Sequence, residues 1–257
     1  MHSVHGAAIV YKEVTAVIKT ISMKNVIFWL LLLAAAAAAI IFIRFSDSFN
    51  LPSVFTSGGT KKTVLVIDAG HGGEDGGATS LSGIYESEIN LDISLRMAAL
   101  SGLTGIDYVI TRESEDIEYP ESAKSTSARK KYDQKRRVEL INGVENAVLI
   151  SVHQNCYPHK SPHGPQSFYS INDGSDELAV LIQETMNAAL CPENRRMAMP
   201  VDKGIYLFKN VSCPSVLVEC GFISNPEESK LLETETYRLK IAAALVSAYL
   251  RYTDTNK

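Results

Sequence analysis

The sequence predicts an α/β fold: a single three-layer α/β/α domain built on a twisted, mostly parallel sheet. Two observations carry this. Short runs rich in β-branched residues alternate with stretches whose apolar residues recur at helical spacing, the pattern of successive βαβ units. The runs Val64-Leu65-Val66-Ile67 and Val148-Leu149-Ile150-Ser151-Val152 are apolar at odd and even positions alike, as strands covered on both faces are.

The elements follow in order. Val64–Asp68 reads as a strand, Ile89–Leu100 as a helix and Ile106–Thr111 as a strand. Residues Glu113 to Lys135 are polar and charged with one proline, which predicts an insertion or long loop. Beyond it come a helix over Arg137–Val144, a strand over Ala147–His153 and a helix over Ser175–Leu190. Ile205–Phe208 and Ser215–Glu219 are strand candidates, and Thr236–Tyr252 closes the chain as an amphipathic helix. No internal repeat is visible.

One segment stands apart from the domain. Val26 to Ile43 is an unbroken run of 18 apolar residues, long enough to cross a bilayer core as a helix. Lys12, Lys19 and Lys24 precede it, which predicts a cytoplasmic N-terminal segment (1–25) and export of the remainder of the chain. The run ends in bulky Ile40-Ile41-Phe42-Ile43 rather than a small-residue cleavage site, so an uncleaved membrane anchor (26–43) is favoured over a signal peptide. Met23 resembles an ordinary start for an exported bacterial protein, which would make residues 1–22 an upstream extension. Residues 44–62 have the composition of a linker, and residues 63–257 form the domain.

The 257 residues are 46% hydrophobic, ample for a packed core. Residues 45–257 hold all but four of the 25 basic side chains and all but one of the 29 acidic ones, so the domain is net negative. That argues against a nucleic-acid partner, for want of a basic stripe to displace phosphate counterions. The cluster Arg129, Lys130, Lys131, Lys135, Arg136 and Arg137 is read as a solvated helix face. Of four cysteines, Cys220 reads as a packed thiol at a strand end, and Cys156 lies near enough to His153 in sequence to be a chance metal neighbour. Cys191 and Cys213 carry no signal.

Four side chains suggest chemistry. His71 sits in Gly70-His71-Gly72-Gly73 just past the first strand, Glu86 comes fifteen residues later, and His153 lies at the end of a second strand. Ligand sites of α/β sheets form at such strand ends. Two imidazoles and a carboxylate suit a catalytic zinc, which keeps a further position for an activated water. Glu219, ending Ser215-Val216-Leu217-Val218, is the candidate general base and acid. Each motif has a blander reading: the glycine loop as a tight turn binding an anion, His153 as a hydrogen-bonded loop residue, and Glu86 as an acid favoured near a helix start. Glu88 competes with Glu86, being nearer the helical run. Asp68 is either a partner orienting a metal-bound histidine or a structural acid at a strand end.

The joint pattern resembles a family. Asp68-Ala69-Gly70-His71-Gly72-Gly73-Glu74-Asp75-Gly76-Gly77-Ala78, Glu86 with Asn90-Leu91, Thr111-Arg112, Arg137 with Asn142, Ser151-Val152-His153-Gln154-Asn155 and Val218-Glu219-Cys220-Gly221-Phe222-Ile223-Ser224-Asn225 are together similar to zinc-dependent N-acetylmuramoyl-L-alanine amidases of the amidase-3 type. The similarity spans roughly residues 63–252. It implies one zinc on His71, Glu86 and His153, Glu219 as the catalytic glutamate, and hydrolysis of the muramic acid–L-alanine amide of peptidoglycan. It departs at Ser87, where such enzymes often carry lysine, while the spacing from His71 still favours Glu86 over Glu88. Between Asn155 and Gly204 no long autoinhibitory segment is visible, so direct control by a division activator is not expected. No wall-binding repeat follows Tyr252, which leaves targeting to the anchor or to an activating protein partner. The short anchored form also resembles the spore-cortex amidases that prepare muramic-δ-lactam. A different metallohydrolase, such as a peptidase or deacetylase, and a non-catalytic wall-binding protein are the competing readings.

Overall fold

The computed structural model describes residues 62–255, together with Ile27, Phe28, Leu30 and Leu31, which are helical and exposed. The predicted cytoplasmic segment, anchor and linker otherwise lie outside the described residues. Among the described residues no helix is long and apolar enough to cross a membrane.

From residue 62 onward the order is β1 (Val64–Ala69), α1 (Glu86–Thr104), β2 (Tyr108–Ile110), α2 (Thr126–Asn142), β3 (Ala147–Asn155), β4 (Gln166–Tyr169), α3 (Ser175–Leu190), β5 (Met199–Pro200), α4 (Tyr206–Asn210), β6 (Ser215–Phe222), α5 (Pro226–Leu232) and α6 (Glu235–Thr255). The sheet runs β2-β1-β3-β6-β4-β5. Strands β2, β1, β3 and β6 are parallel, while β4 lies antiparallel to β6 and carries β5 beside it.

Period-two alternation splits the central strands between two cores. Leu65, Ile67, Val148, Ile150, Val152, Val216, Val218 and Cys220 face the larger one, beneath α1, α3 and α6. Val66, Ala147, Leu149 and Leu217 face the smaller one, shared with Ile141 of α2 and with Leu207 and Phe208 of α4. Leu65, Ile67, Leu149 and Ile150 are fully buried, and each such side chain contributes roughly 1.5–3 kcal/mol. Two packed faces around one sheet are the expected three layers. Cys220 is the buried, free thiol its position predicts.

Three differences from the sequence reading have physical causes. The helix predicted over Arg137–Val144 starts earlier, so that the loop read from Glu113 to Lys135 is helical from Thr126 onward; Ser125 begins it, its hydroxyl accepting from the Ala128 amide at 3.2 Å. Its charge density hides the apolar stripe, which amounts to little beyond Val138 and Ile141. Ile205–Phe208 belongs to a helical turn and not a strand, because Leu207 and Phe208 bury on the same side. Successive strand residues would point to opposite faces. Third, β4, β5 and α5 carry no sequence signal strong enough to predict them; α5 is announced only by Asn225-Pro226, a capping pair in which Asn225 Oδ1 accepts from Glu227 and Glu228.

Candidate metal centre

Register brings the pieces together. His153 lies opposite Glu219, Ser151 opposite Asp68, and all four sit on the sheet face that carries Leu149 and Leu217. The apolar residues end at Leu149 and Leu217, and the next positions on that face are polar. A cavity of about 270 Å³ opens there, at the C-terminal edge of β1, β3 and β6, with His71, His153, Glu219, Tyr119, Lys130 and Phe208 among its lining.

His71 stands in the left-handed region at φ 60°, which aims its ring back across the end of β1. Glu86 opens α1 and is almost fully buried. Its Oε1 lies 3.0 Å from His153 Nδ1 and 3.4 Å from His71 Nε2, and the two rings meet edge to face at 4.9 Å. The three ligand atoms lie within 4.8 Å of one another, close enough to share one cation. Two imidazole nitrogens and a carboxylate oxygen are the donor set of hydrolytic zinc centres, so these residues fit such an ion. Cys156 is exposed and not among the grouped ligand atoms, so its proximity in sequence to His153 has no counterpart at the centre.

The scaffold of Glu86 is elaborate. Its Oε2 accepts from Ala78 N at 3.0 Å, and its Oε1 from Gln154 N at 3.1 Å and Asn90 Nδ2 at 3.2 Å. Asn90 also donates to Gly70 O, and Gln154 Nε2 donates to Asn90 Oδ1. Glu88, its rival in sequence, is exposed and accepts from the Tyr85 amide at 3.1 Å, a helix-start role. Two glycines make room. A Cβ on Gly70 would lie 2.4 Å from the His153 ring, and one on Gly77, at φ +68°, would meet Glu86 Oε2 at 2.6 Å.

The acid beside a histidine is Asp75 and not Asp68. Asp75 Oδ2 lies 3.1 Å from His71 Nδ1, an ion-pair contact, and 2.7 Å from Lys130 Nζ. Burial alone would lower the His71 imidazole, but Asp75 and Glu86 outweigh it and raise its pKa to about 9. Asp68 touches neither histidine. It is buried and accepts from Arg137 Nη1 at 2.7 Å, Ser151 Oγ at 2.6 Å and Thr111 Oγ1 at 2.8 Å. Burial opposes its ionisation, yet Arg137 and the two hydroxyls hold its carboxyl below the usual carboxylate range.

Arg137 is thus no solvated residue; the reading of the basic cluster as one exposed face fails there. It is buried, donates to the carbonyls of Ala69 and His71, and pairs with Asp133 at 2.7 Å. Arg129 and Lys130 turn toward Glu74 and Asp75, while Lys131 and Lys135 remain exposed. Arg112 is likewise buried and donates to the carbonyls of Ala69, Gly70 and Ser87. Asn142 ties α2 to the end of α4 and the residues just beyond it, donating to Asn210 O and accepting from Ser212 N.

Glu219 completes the site. Its Oε2 is buried without a hydrogen-bond partner. Burial, with Glu86 nearby and only partly offset by His153, pushes its carboxyl up to about 7. A carboxyl so poised, in a cavity beside a ligand cluster, suits proton transfer near neutral pH.

The family model for N-acetylmuramoyl-L-alanine amidase (Amidase_3) matches residues 65–250. The chain belongs to that family. The germination-specific N-acetylmuramoyl-L-alanine amidase of Bacillus subtilis (strain 168) is 37% identical over 190 residues, covering 74% of this chain and 79% of that protein. Among solved structures, the CwlD amidase of Clostridioides difficile, determined in complex with the GerS lipoprotein, is 37% identical with a TM-score of 0.71, covering 76% of this chain and all of that one. An N-acetylmuramoyl-L-alanine amidase from Clostridium difficile 630 is 27% identical with a TM-score of 0.66. The chain is therefore a peptidoglycan amidase in fold and family. No residue between Cys156 and Gly204 lines the amidase cavity, and α3 packs into the core through Leu178, Ala179, Ile182 and Met186.

Proposed function

We propose that this amidase is zinc-dependent, with His71, Glu86 and His153 as ligands, and that it cleaves the amide between the muramic acid lactyl group and L-alanine. The observation that carries this is Glu219, whose Oε2 is buried without a hydrogen-bond partner beside three converging ligand atoms. A purely binding protein has no use for it. Zinc, when bound, supplies Lewis acidity that activates water and polarises the amide carbonyl. Glu219 accepts the proton of the attacking water and hands it to the departing L-alanine nitrogen, so that the stem peptide leaves with a free amine. Asp75 orients the His71 ring, and Arg112 and Arg137 hold the carbonyls of the loop that carries it.

Metal analysis of the full-length chain, coupled to mass spectrometry of peptidoglycan digests, tests this. Zinc that activity requires, lost with His71→Ala, and new L-alanine amines with acetyl groups intact are the expected result. Acetate release would point to a deacetylase instead. Intact stem peptides after incubation of metal-replete protein, with any partner supplied, would end the amidase reading.

A role in spore cortex, preparing muramic-δ-lactam, is supported by the 37% identity to a germination-specific amidase. Unchanged δ-lactam in cortex from a deletion strain would count against it. The lipoprotein complex of the Clostridioides difficile relative supports an activating protein partner for this chain too. The apolar run at 26–43 supports a single-pass anchor with the domain outside the cytoplasm. Intact mass of the native protein distinguishes anchor from cleaved signal, and Met23 from Met1 as the start.

A further inference from the structure

A second group of ligand-type side chains lies away from the amidase cavity. His163, Cys191 and Glu193 offer an imidazole nitrogen, a thiol sulfur and a carboxylate oxygen within 4.8 Å of one another. None of the three lines the cavity. They come from two segments: the loop after β3, and the turn after α3, with Cys191 itself the last cap of that helix.

Those segments are cross-tied independently of the three side chains. Asn194 Nδ2 donates to Pro165 O at 2.8 Å, and Asn194 N to Cys191 O at 2.9 Å. The Arg196 guanidinium donates to His163 O. Gly164, at φ +86°, lets the Asn194 side chain approach to where a Cβ would lie 3.0 Å away. The two backbone segments are therefore held together before any ligand arrives, which spares part of the ordering entropy that a flexible site would lose.

Local chemistry favours a cation of the zinc class. His163 Nδ1 lies 3.1 Å from Ser161 O and must donate to it, which leaves Nε2 as the lone-pair nitrogen. A backbone carbonyl on the other ring nitrogen is the usual support of a metal-bound histidine. Cys191 sits at the C-terminal end of a 16-residue helix, where the dipole is negative and draws positive charge. Among the described residues no arginine is paired with the three side chains by a hydrogen bond: Arg195 donates to Pro192 O and reaches Glu193 only through its charge, and Arg196 stacks over the Phe222 ring at 4.9 Å. Thiolate with imidazole selects zinc over calcium or magnesium. All four cysteines are free thiols, so no disulfide removes Cys191 from play.

We propose that His163, Cys191 and Glu193 form a second, structural metal site that takes zinc or a similar borderline-soft divalent cation, with water in the fourth position. On binding, the thiol proton passes to solvent and three protein–metal bonds form, with no change in oxidation state. The clip joins the loop after β3, which begins just past His153, to the end of α3.

Cobalt(II) titration of the metal-free full-length chain, with thiols kept reduced, tests this separately from the amidase reading. A sulfur-to-cobalt charge-transfer band in the near ultraviolet reports this site alone, because His71, Glu86 and His153 contain no sulfur. Two equivalents should bind, and zinc should abolish the band. His71→Ala should lose one equivalent and keep the band. Cys191→Ser should lose the other equivalent and the band, and His163→Ala and Glu193→Gln, both at exposed positions, should each weaken that equivalent tenfold or more. Retained amidase activity shows that these variants are folded. A wild-type titration with one equivalent and no band would overturn the site, as would a band that survives Cys191→Ser or disappears with Cys156→Ser.

Discussion

Glu219 shows how a single environment sets a role. Its carboxyl is raised to about 7 by burial, whereas Glu86, held by three N–H donors and two imidazoles, is driven below the ordinary carboxylate range. Two glutamates in one cavity are thus pushed apart, one toward proton transfer and one toward ligation. Glu219→Gln should keep metal and fold while kcat falls ~10²–10⁴-fold. The wild-type rate should fall as pH drops through the Glu219 pKa. A cation on the triad favours the carboxylate, so that limb belongs between the usual glutamate range and about 7. A pH–rate profile checks both; near-wild-type turnover of the variant would remove Glu219 from the mechanism. Asp75→Asn should weaken metal binding ~10–100-fold, as loss of a supporting carboxylate does, and a competition assay with a chromophoric chelator would read it.

At the level of elements, the site depends on how closely β1 and β3 approach. Gly70 N donates to Val152 O at 3.0 Å, and the His153 ring occupies the space a Gly70 side chain would need. Gly70→Ala should therefore displace His153 and cost metal affinity more than global stability, since the strand ladder from Val64 to Ala69 is unaffected. Metal stoichiometry against thermal midpoint separates the two effects. Helix α2 is the element most opaque in sequence. Its first part reads as a charged loop because, apart from Ile141, its buried contacts are made by Asp133 and Arg137, charged residues whose burial is tolerated through the Arg137 pairs with Asp133 and Asp68. Hydrophobic periodicity has no way to register a polar anchor.

For the whole molecule, the Asp68–Arg137 pair links the first strand, α2 and the His71 loop. Removing one partner of such a buried pair typically costs ~3–5 kcal/mol, so Arg137→Met should lower the unfolding midpoint sharply in urea. Asp68 has a folded pKa below its unfolded one. Its contribution is therefore present above the ordinary aspartate pKa, about 3.9, and is lost as pH falls below it. Glu219 acts in the opposite sense in the metal-free chain: its folded pKa is raised, so its contribution is full below the ordinary glutamate pKa and lost as pH rises through about 7. Metal-free Glu219→Gln should thus gain thermal stability over wild type at pH 8 but not at pH 4. Equal midpoints at pH 8 would show that Glu219 is better solvated than its burial implies.

Much was readable from residues alone: the βαβ alternation, the strands β1, β3 and β6, helices α1, α3 and α6, and the four side chains His71, Glu86, His153 and Glu219. Those signals are local, being hydrophobic period and position just beyond a strand. The pairing of Asp75 with His71, the burial of Arg112 and Arg137, and the helical turn at Leu207-Phe208 emerged only with the fold. Each is a matter of which distant groups share a small volume, and register across neighbouring strands, set by side-chain packing on both sheet faces, is what brings them there.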